Sequence, residues 1–407
     1  MKVVRVTLIL TLLIGMATAV QAVVINGGKG LPHTRAAWVQ ERGRLTMLGH
    51  TRFWGKVADV PLPMEDLERG VTIWNVQGLM NLNYGLGKHF GLSLTPILYQ
   101  DTQKGPDNDQ YPWDTFLSLK IGSFGHQASA LKYGAELGVR FPSGALHNVV
   151  FEDYTAGTTE MSLNALMSYA YDPLYPEDAF NMHFNLGYIY HNDSGTNLHV
   201  GNLKDNPPKE FMYKDRHVVH PSQQLTYALG FVIPTQNFDY GFELYGNAWL
   251  QNPPKAAASR ENYLYLNAGV TYKANRWFSF LISGDYRLTA DTDETVGPES
   301  RESLMMPNYN TWRINFGARI TLLPVSVFRT TERDILMQKA ETRRELFEQI
   351  IKERRETESA EEELERIKEE RRKAERELER LRKILEGQAE QRQKLQDMRE
   401  ELEPSSP

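Results

Sequence analysis

The sequence predicts an all-β transmembrane antiparallel barrel of about 12 strands, followed by a long C-terminal α-helix. Three observations carry this. Between residues 44 and 322, segments of about ten residues alternate apolar with polar or small side chains. The links between these segments alternate long and short. From residue 332 the composition changes to Glu, Arg and Lys with scattered Leu and Ile, without proline as far as Glu403.

The first 22 residues read as a secretory signal: Lys2 and Arg5 supply positive charge, Leu8 through Leu13 an apolar run, and Val20-Gln21-Ala22 a small-residue cleavage site. The mature chain is expected to begin at Val23. The apolar run falls short of the ~20 residues a membrane-crossing helix needs, and no other segment approaches that length. Any crossing therefore belongs to strands, because only helices and closed barrels satisfy their backbone hydrogen bonds in lipid. Residues 23–43 are expected to form a periplasmic N-terminal segment. The absence of cysteine excludes disulfides, thiolate metal sites, thiol catalysis and lipidation at an N-terminal cysteine. A net charge of −6 over 407 residues gives no reason to expect nucleic-acid binding.

The barrel strands are expected at 44–56, 71–86, 89–99, 113–123, 129–141, 159–171, 181–191, 223–233, 239–250, 262–273, 277–288 and 308–322. One strand displays the physics. Leu131, Tyr133, Ala135, Leu137, Val139 and Phe141 share one face, so Lys132, Gly134, Glu136, Gly138 and Arg140 must share the other. The first face suits hydrocarbon and the second water. Six long links (57–70, 100–112, 142–158, 192–222, 251–261 and 289–307) occupy the odd positions. The links between them are short, with 172–180 the longest. This ordering fits a barrel with both termini in the periplasm and long loops outside. Trp74, Tyr84, Tyr188, Tyr190, Tyr227, Phe231, Phe278 and Phe280 fall on the outward face, as interfacial aromatic girdles would.

Lys132, Glu136, Arg140, Glu243, Asp285, Arg287, Arg313 and Arg319 fall on the inward face and are the pore-lining candidates. Buried charges must be paired or wet. A wet, mixed-charge lumen would let polar solutes pass, whereas charges pairing across it would plug it. A twelve-strand barrel lies between the side-chain-filled eight and the open sixteen, so the expectation is a narrow porin or solute channel. The alternative is a non-conducting structural anchor that links the outer membrane to a periplasmic partner.

No catalytic, cofactor-binding or metal-binding residues are assigned. His191-Asn192-Asp193-Ser194-Gly195 reads as a turn after a strand, and its order and spacing differ from the His-x-Ser-Asn-Gly of an outer-membrane phospholipase. His217 and His220 have metal-compatible spacing but lack a clear third ligand.

The final strand carries Asn315, Gly317, Ile320 and Leu322 in a pattern that resembles the assembly signal of bacterial outer-membrane proteins, although Leu322 stands where an aromatic is usual. This resemblance implies the barrel assembly machinery as a partner, besides the lipid bilayer. The opening Gly27-Gly28-Lys29-Gly30-Leu31, running through Ala36 and Gly43, is similar to that of OmpA-like and porin-like proteins with periplasmic extensions. The tail has no αβ pattern, so the peptidoglycan binding of OmpA-like relatives does not carry over.

After a linker at 323–331, residues 332–403 are expected to form one charged helix, on the order of 100 Å long, ahead of a short tail at 404–407. Leu364, Ile367, Ala374, Leu378, Leu381, Leu385, Leu395 and Leu402 fit one heptad seam, with Leu336, Leu346 and Ile350 upstream. Arg343, Arg371, Gln388, Arg392 and Arg399 interrupt it. The rival to a coiled coil is a solitary rod held by pairs such as Glu348 with Lys352, Glu362 with Arg366, Glu369 with Lys373, Glu379 with Lys383 and Glu390 with Lys394. The helix is expected in the periplasm, for self-association or envelope contact.

Overall fold

The computed structural model describes residues 25, 28–61, 68–102, 114–126, 129–144, 147–148, 151–198, 216–292, 294–295, 309–324 and 332–401. The expected signal peptide, residues 325–331 of the linker and Leu402 lie outside the described residues, as does the central part of the link at 192–222.

Twelve antiparallel strands close on themselves in sequence order. They are β1 Leu45–Pro61, β2 Glu68–Gly85, β3 Phe90–Thr102, β4 Thr115–Phe124, β5 Leu131–Phe141 and β6 Glu160–Ala170. The second half comprises β7 Asn181–Tyr190, β8 Gln223–Pro234, β9 Phe238–Gln251, β10 Leu264–Asn275, β11 Phe278–Arg287 and β12 Trp312–Leu323. β1 pairs with β12 from Leu45↔Leu323 to Phe53↔Ile314, which removes the edge that an open sheet would expose. Both barrel termini lie at one rim, with the short turns; the long links lie at the opposite rim. β1 and β2 run further than expected, to Pro61 and from Glu68, and pair throughout. The first link is thus six residues rather than the long loop expected at 57–70, because Val57, Val60 and Val71 continue a strand-favouring ladder.

The barrel is inside out, as the alternation requires. On β5, Leu131, Tyr133, Leu137 and Phe141 are exposed, whereas Glu136 is 2% exposed. On β12, Phe316 is exposed and Asn315 fully buried. The twelve strands repeat this pattern, so the exterior is an aromatic and aliphatic surface far larger than a soluble monomer presents to water. One consequence is testable. Replacing Leu137 by arginine puts a charge in the middle of the hydrocarbon-facing band and is expected to cost about 2–4 kcal/mol of stability in lipid vesicles, read from urea-unfolding midpoints. An unchanged midpoint would mean that this surface does not meet lipid.

The second unit is one helix, α1 Glu332–Glu401. Leu364, Ile367 and Leu378 are exposed along it. Of the expected intrahelical pairs, Glu379 with Lys383 forms, at 4.0 Å. Glu348 pairs with Arg344 instead, and Lys352 with Glu356, so i,i+4 pairing holds while the partners shift by one turn. No described helix is long and apolar enough to cross a membrane.

Candidate functional site: the lumen and its two closures

The largest departure from expectation is the N-terminal segment. Residues 28–41 lie in the barrel lumen, not outside it in the periplasm. Residues 29–36 make a small hairpin: Leu31 N–H donates to Thr34 C=O at 2.8 Å and Ala36 N–H to Lys29 C=O at 2.8 Å, with Pro32 and His33 at its tip. Gly43, at φ +79°, gives the left-handed turn that leads from this segment into β1.

Polar contacts from several strands fix the segment. His33 N–H and Thr34 Oγ1 both donate to Glu243 Oε2, at 2.8 and 2.9 Å, and His33 Nε2 pairs with Asp285 at 3.2 Å. Arg35 pairs with Glu136 at 2.7 Å, and its N–H donates to Asn185 Oδ1 at 2.6 Å. Ala37 N–H reaches Ser168 Oγ at 2.7 Å and Val39 N–H reaches Ser123 Oγ at 2.9 Å. Backbone polar groups taken out of water need such partners, and the wall supplies them one by one.

Space for the segment comes from inward glycines. A Cβ on Gly122 would collide with the Ala37 carbonyl, and one on Gly91 would sit 3.1 Å from Val39. One on Gly134 would sit 3.0 Å from the Ala37 carbonyl, and Cβ atoms on Gly230 and Gly241 would press into Leu31. Lys29 is anchored by Glu41 at 2.9 Å and Glu177 at 2.8 Å. Burial opposes its charge, but the two carboxylates outweigh burial and hold its pKa above the ordinary lysine value.

The opposite rim is narrowed by the link between β5 and β6, expected as an external loop at 142–158. Its described part turns inward instead. Glu152 accepts from Arg52, from Asn75 Nδ2 at 2.8 Å and from Gln77 Nε2 at 2.9 Å. Phe151 packs with Trp54 and Ile73, and Tyr154 with Leu198, Val218 and Ala257. A buried carboxylate with three donors, flanked by two apolar clusters, holds the loop as firmly as a core. His147 in this loop is held below the ordinary histidine pKa by its burial, which the nearby Asp114 only partly offsets.

Seven of the eight predicted lumenal charges project into the lumen, and of these Glu136, Arg140, Asp285, Arg287 and Arg313 are paired with opposite charges. Glu136 faces Arg35 and Lys120, and Arg140 binds Asp114 at 2.7 Å and Glu160 at 3.5 Å. Asp285 meets Arg313 at 3.2 Å, and Arg313 also donates to Tyr245 Oη at 2.7 Å. Arg287 pairs with Asp291 at 3.1 Å and donates to the Tyr309 carbonyl. Glu243 receives the plug hairpin. Lys132 lies at the rim, donating to the turn carbonyls of Gly125 and His126. Arg319 is buried, and its Nη1 has no hydrogen-bond partner among the described residues.

Between the two closures lies a cavity of about 250 Å³, bounded by His33 and Arg35 on one side and by Glu152 to Thr155 on the other. The assembly-pattern residues Asn315, Gly317, Ile320 and Leu322 all lie on β12, the first two inward and the last two outward. His191 faces Glu160 at 3.1 Å, whereas Ser194 Oγ donates to the Val219 carbonyl, so the two are not aligned as a nucleophile and its base. His217 contacts Asn197 at 3.1 Å, and no cluster of three or more metal-ligating side chains occurs among the described residues.

A closed twelve-strand ladder with an apolar exterior and a charged interior defines the class: a transmembrane β-barrel of the bacterial outer-membrane type. No family model and no curated protein matches the sequence. Among solved structures the chain is similar to an outer membrane channel from Pseudomonas putida F1, with 9% identity over 70% of this chain and 98% of that one, at TM-score 0.42. It is also similar to the NanC porin, with 10% identity over 68% and 100% of the two chains at TM-score 0.41. A third likeness is to the outer membrane channel DcaP of Acinetobacter baumannii, with 10% identity over 70% and 100% at TM-score 0.29.

Proposed function

We propose that this protein is a narrow outer-membrane channel for small polar solutes whose resting state is closed by its own N-terminal segment. The observation that carries the reading is how the closure is built. Residues 28–41 are seated mainly through polar contacts, with Leu31 and Trp38 the large apolar side chains, in a groove that inward glycines leave open. A lumen meant to be permanently solid would be filled by wall side chains, as in smaller barrels. Here the wall residues are cut back and a separate, end-tethered strip of chain fills the gap. Withdrawing that strip leaves a polar, mixed-charge passage.

Planar-bilayer conductance tests this: the intact chain is expected to stay mostly silent and to conduct once the strip is displaced. A barrel that conducts in neither condition favours the alternative, a non-conducting anchor between the outer membrane and a periplasmic partner.

On this reading the rim that holds both barrel termini faces the periplasm, α1 is periplasmic, and the β12 pattern at Asn315, Gly317, Ile320 and Leu322 serves the assembly machinery. Apolar side chains at Leu364, Ile367 and Leu378 are exposed on the helix and support its self-association as a coiled coil. The helicity of a 332–403 peptide is then expected to fall on dilution; concentration-independent helicity would leave the solitary rod.

A further inference from the structure

We infer that the central cavity is a binding site for a small, uncharged polyhydroxylated solute of monosaccharide size. The inference deepens the channel reading and, for access to the site, rests on it. Each lining guanidinium is committed: Arg35 to Glu136, Arg52 to Glu152, Arg140 to Asp114 and Glu160, and Arg313 to Asp285. Among the described lining residues an entering anion finds no uncommitted guanidinium, and Glu136 and Glu152 face cations while Glu160 faces Arg140 and His191. Asp153 meets the Tyr263 hydroxyl at 3.4 Å and is exposed, so it offers a cation only a solvated charge.

What the wall leaves uncommitted is neutral. Ser162, Asn164, Gln224 and Thr226 line the cavity and make no hydrogen bond to protein among the described residues. They sit on β6 and β8, on either side of β7, and the strand register brings them together. Asn164 pairs across with Gly187, and Gly187 with Thr226, so one row reads amide, glycine, hydroxyl. The Asn164 Oδ1 and Thr226 Oγ1 atoms both lean over Gly187, where any Cβ would collide with them. One strand further on, Ser162 Oγ leans over Gly138 in the same way. The wall is therefore indented at two glycines, with hydroxyl and amide groups converging on the indentations.

Phe116 and Tyr245 also line the cavity, but the Arg140 guanidinium lies over the Phe116 ring and His33 and Tyr265 stack on Tyr245. Hydroxyls and amides both donate and accept, as the hydroxyls of a polyol do. A polar group left buried and unmatched is costly, so these four, Asn164 and Gln224 of them buried, are better matched by a ligand of the same chemistry than by an apolar one. The concavity, with a few convergent polar groups, has the general form of a small-molecule site.

Calorimetry on the full chain in detergent tests the inference, with glucose as the neutral probe and gluconate and glucosamine as its charged counterparts. Glucose is expected to bind saturably, and the two ions at least about tenfold more weakly, the discrimination typical of a site lacking a matched partner. Thr226→Val and Asn164→Ala are each expected to weaken glucose about tenfold, the two variants being checked as folded by their heat-dependent migration on denaturing gels. Absence of saturable glucose binding, either ion binding as tightly as glucose, or undiminished affinity in both folded variants would overturn the proposal. Conductance separates the two readings. A conducting barrel that ignores glucose defeats this inference alone, and a glucose-binding barrel that stays silent after the plug is displaced defeats the channel reading alone.

Discussion

Replacing Gly122 by valine is expected to convert a closed barrel into a conducting one. Gly122 lies on β4 and faces the lumen, where a Cβ would collide with the Ala37 carbonyl and crowd Val39. Gly122 sits where the register with β5 shifts, between Ile121 and Phe124, but its own φ lies outside the left-handed region and valine is favoured in strands, so its backbone accepts the change. The strain falls on the weaker partner. β4 is hydrogen-bonded along both sides, whereas the N-terminal segment is held by separate polar contacts and tethered at Gly43. Overpacking of this kind costs about 1–3 kcal/mol. A bias of that size moves a two-state population by about 5- to 150-fold, and the open probability in planar bilayers is expected to rise accordingly. Gly49→Val is the matched control, because Gly49 faces outward with no neighbour closer than 4.0 Å, and it is expected to stay closed. A folded Gly122→Val barrel that remains silent would remove the N-terminal segment from the gating role.

The second large effect is expected at Glu136. This carboxylate, 2% exposed, sits between Arg35 of the segment and Lys120 of β4, itself 5% exposed. Removing one member of a buried ion pair is far more damaging than the pair is worth, because the partner's charge is left without compensation. Glu136→Ala strands two cations at once and is expected to destabilise the folded state by about 3–5 kcal/mol, as measured by urea unfolding in vesicles. Some of that loss returns if the segment leaves the lumen and Arg35 reaches water. Combining Glu136→Ala with Arg35→Ala is therefore expected to recover part of the stability, and a purely additive double variant would contradict the coupling.

The strands were legible because a barrel wall has two solvents. Lipid on one side and polar contents on the other impose a period of two on every strand, and β5 or β12 can be faced correctly from residue type alone. The inward orientation of Glu136, Glu243, Asp285 and Arg313 followed from the same alternation. Their partners did not. Arg35 and His33 lie in a Gly- and Ala-rich stretch with no strand periodicity, far along the chain from Glu136 and Asp285, and nothing local says that it turns into the lumen. The only trace was a set of glycines on otherwise polar faces, at Gly91, Gly122, Gly134, Gly230 and Gly241. These read as weak strand positions until the closed ladder places them opposite the segment.

The long link between β5 and β6 was misplaced for a related reason. Polar loop composition is equally compatible with projecting outward and with folding into a polar mouth. Glu152 chose the latter because Arg52, Asn75 and Gln77, from two other strands, converge on it. Alternation along the chain thus determined the twelve strands, their facing and the existence of a separate charged helix, since these depend on nearest neighbours and on the solvent each face meets. Only the tertiary structure decided that the lumen is plugged at one end and narrowed at the other, with a cavity lined by paired charges and neutral polar groups between. Those features depend on the registers that bring distant charges and glycines into the same few ångströms.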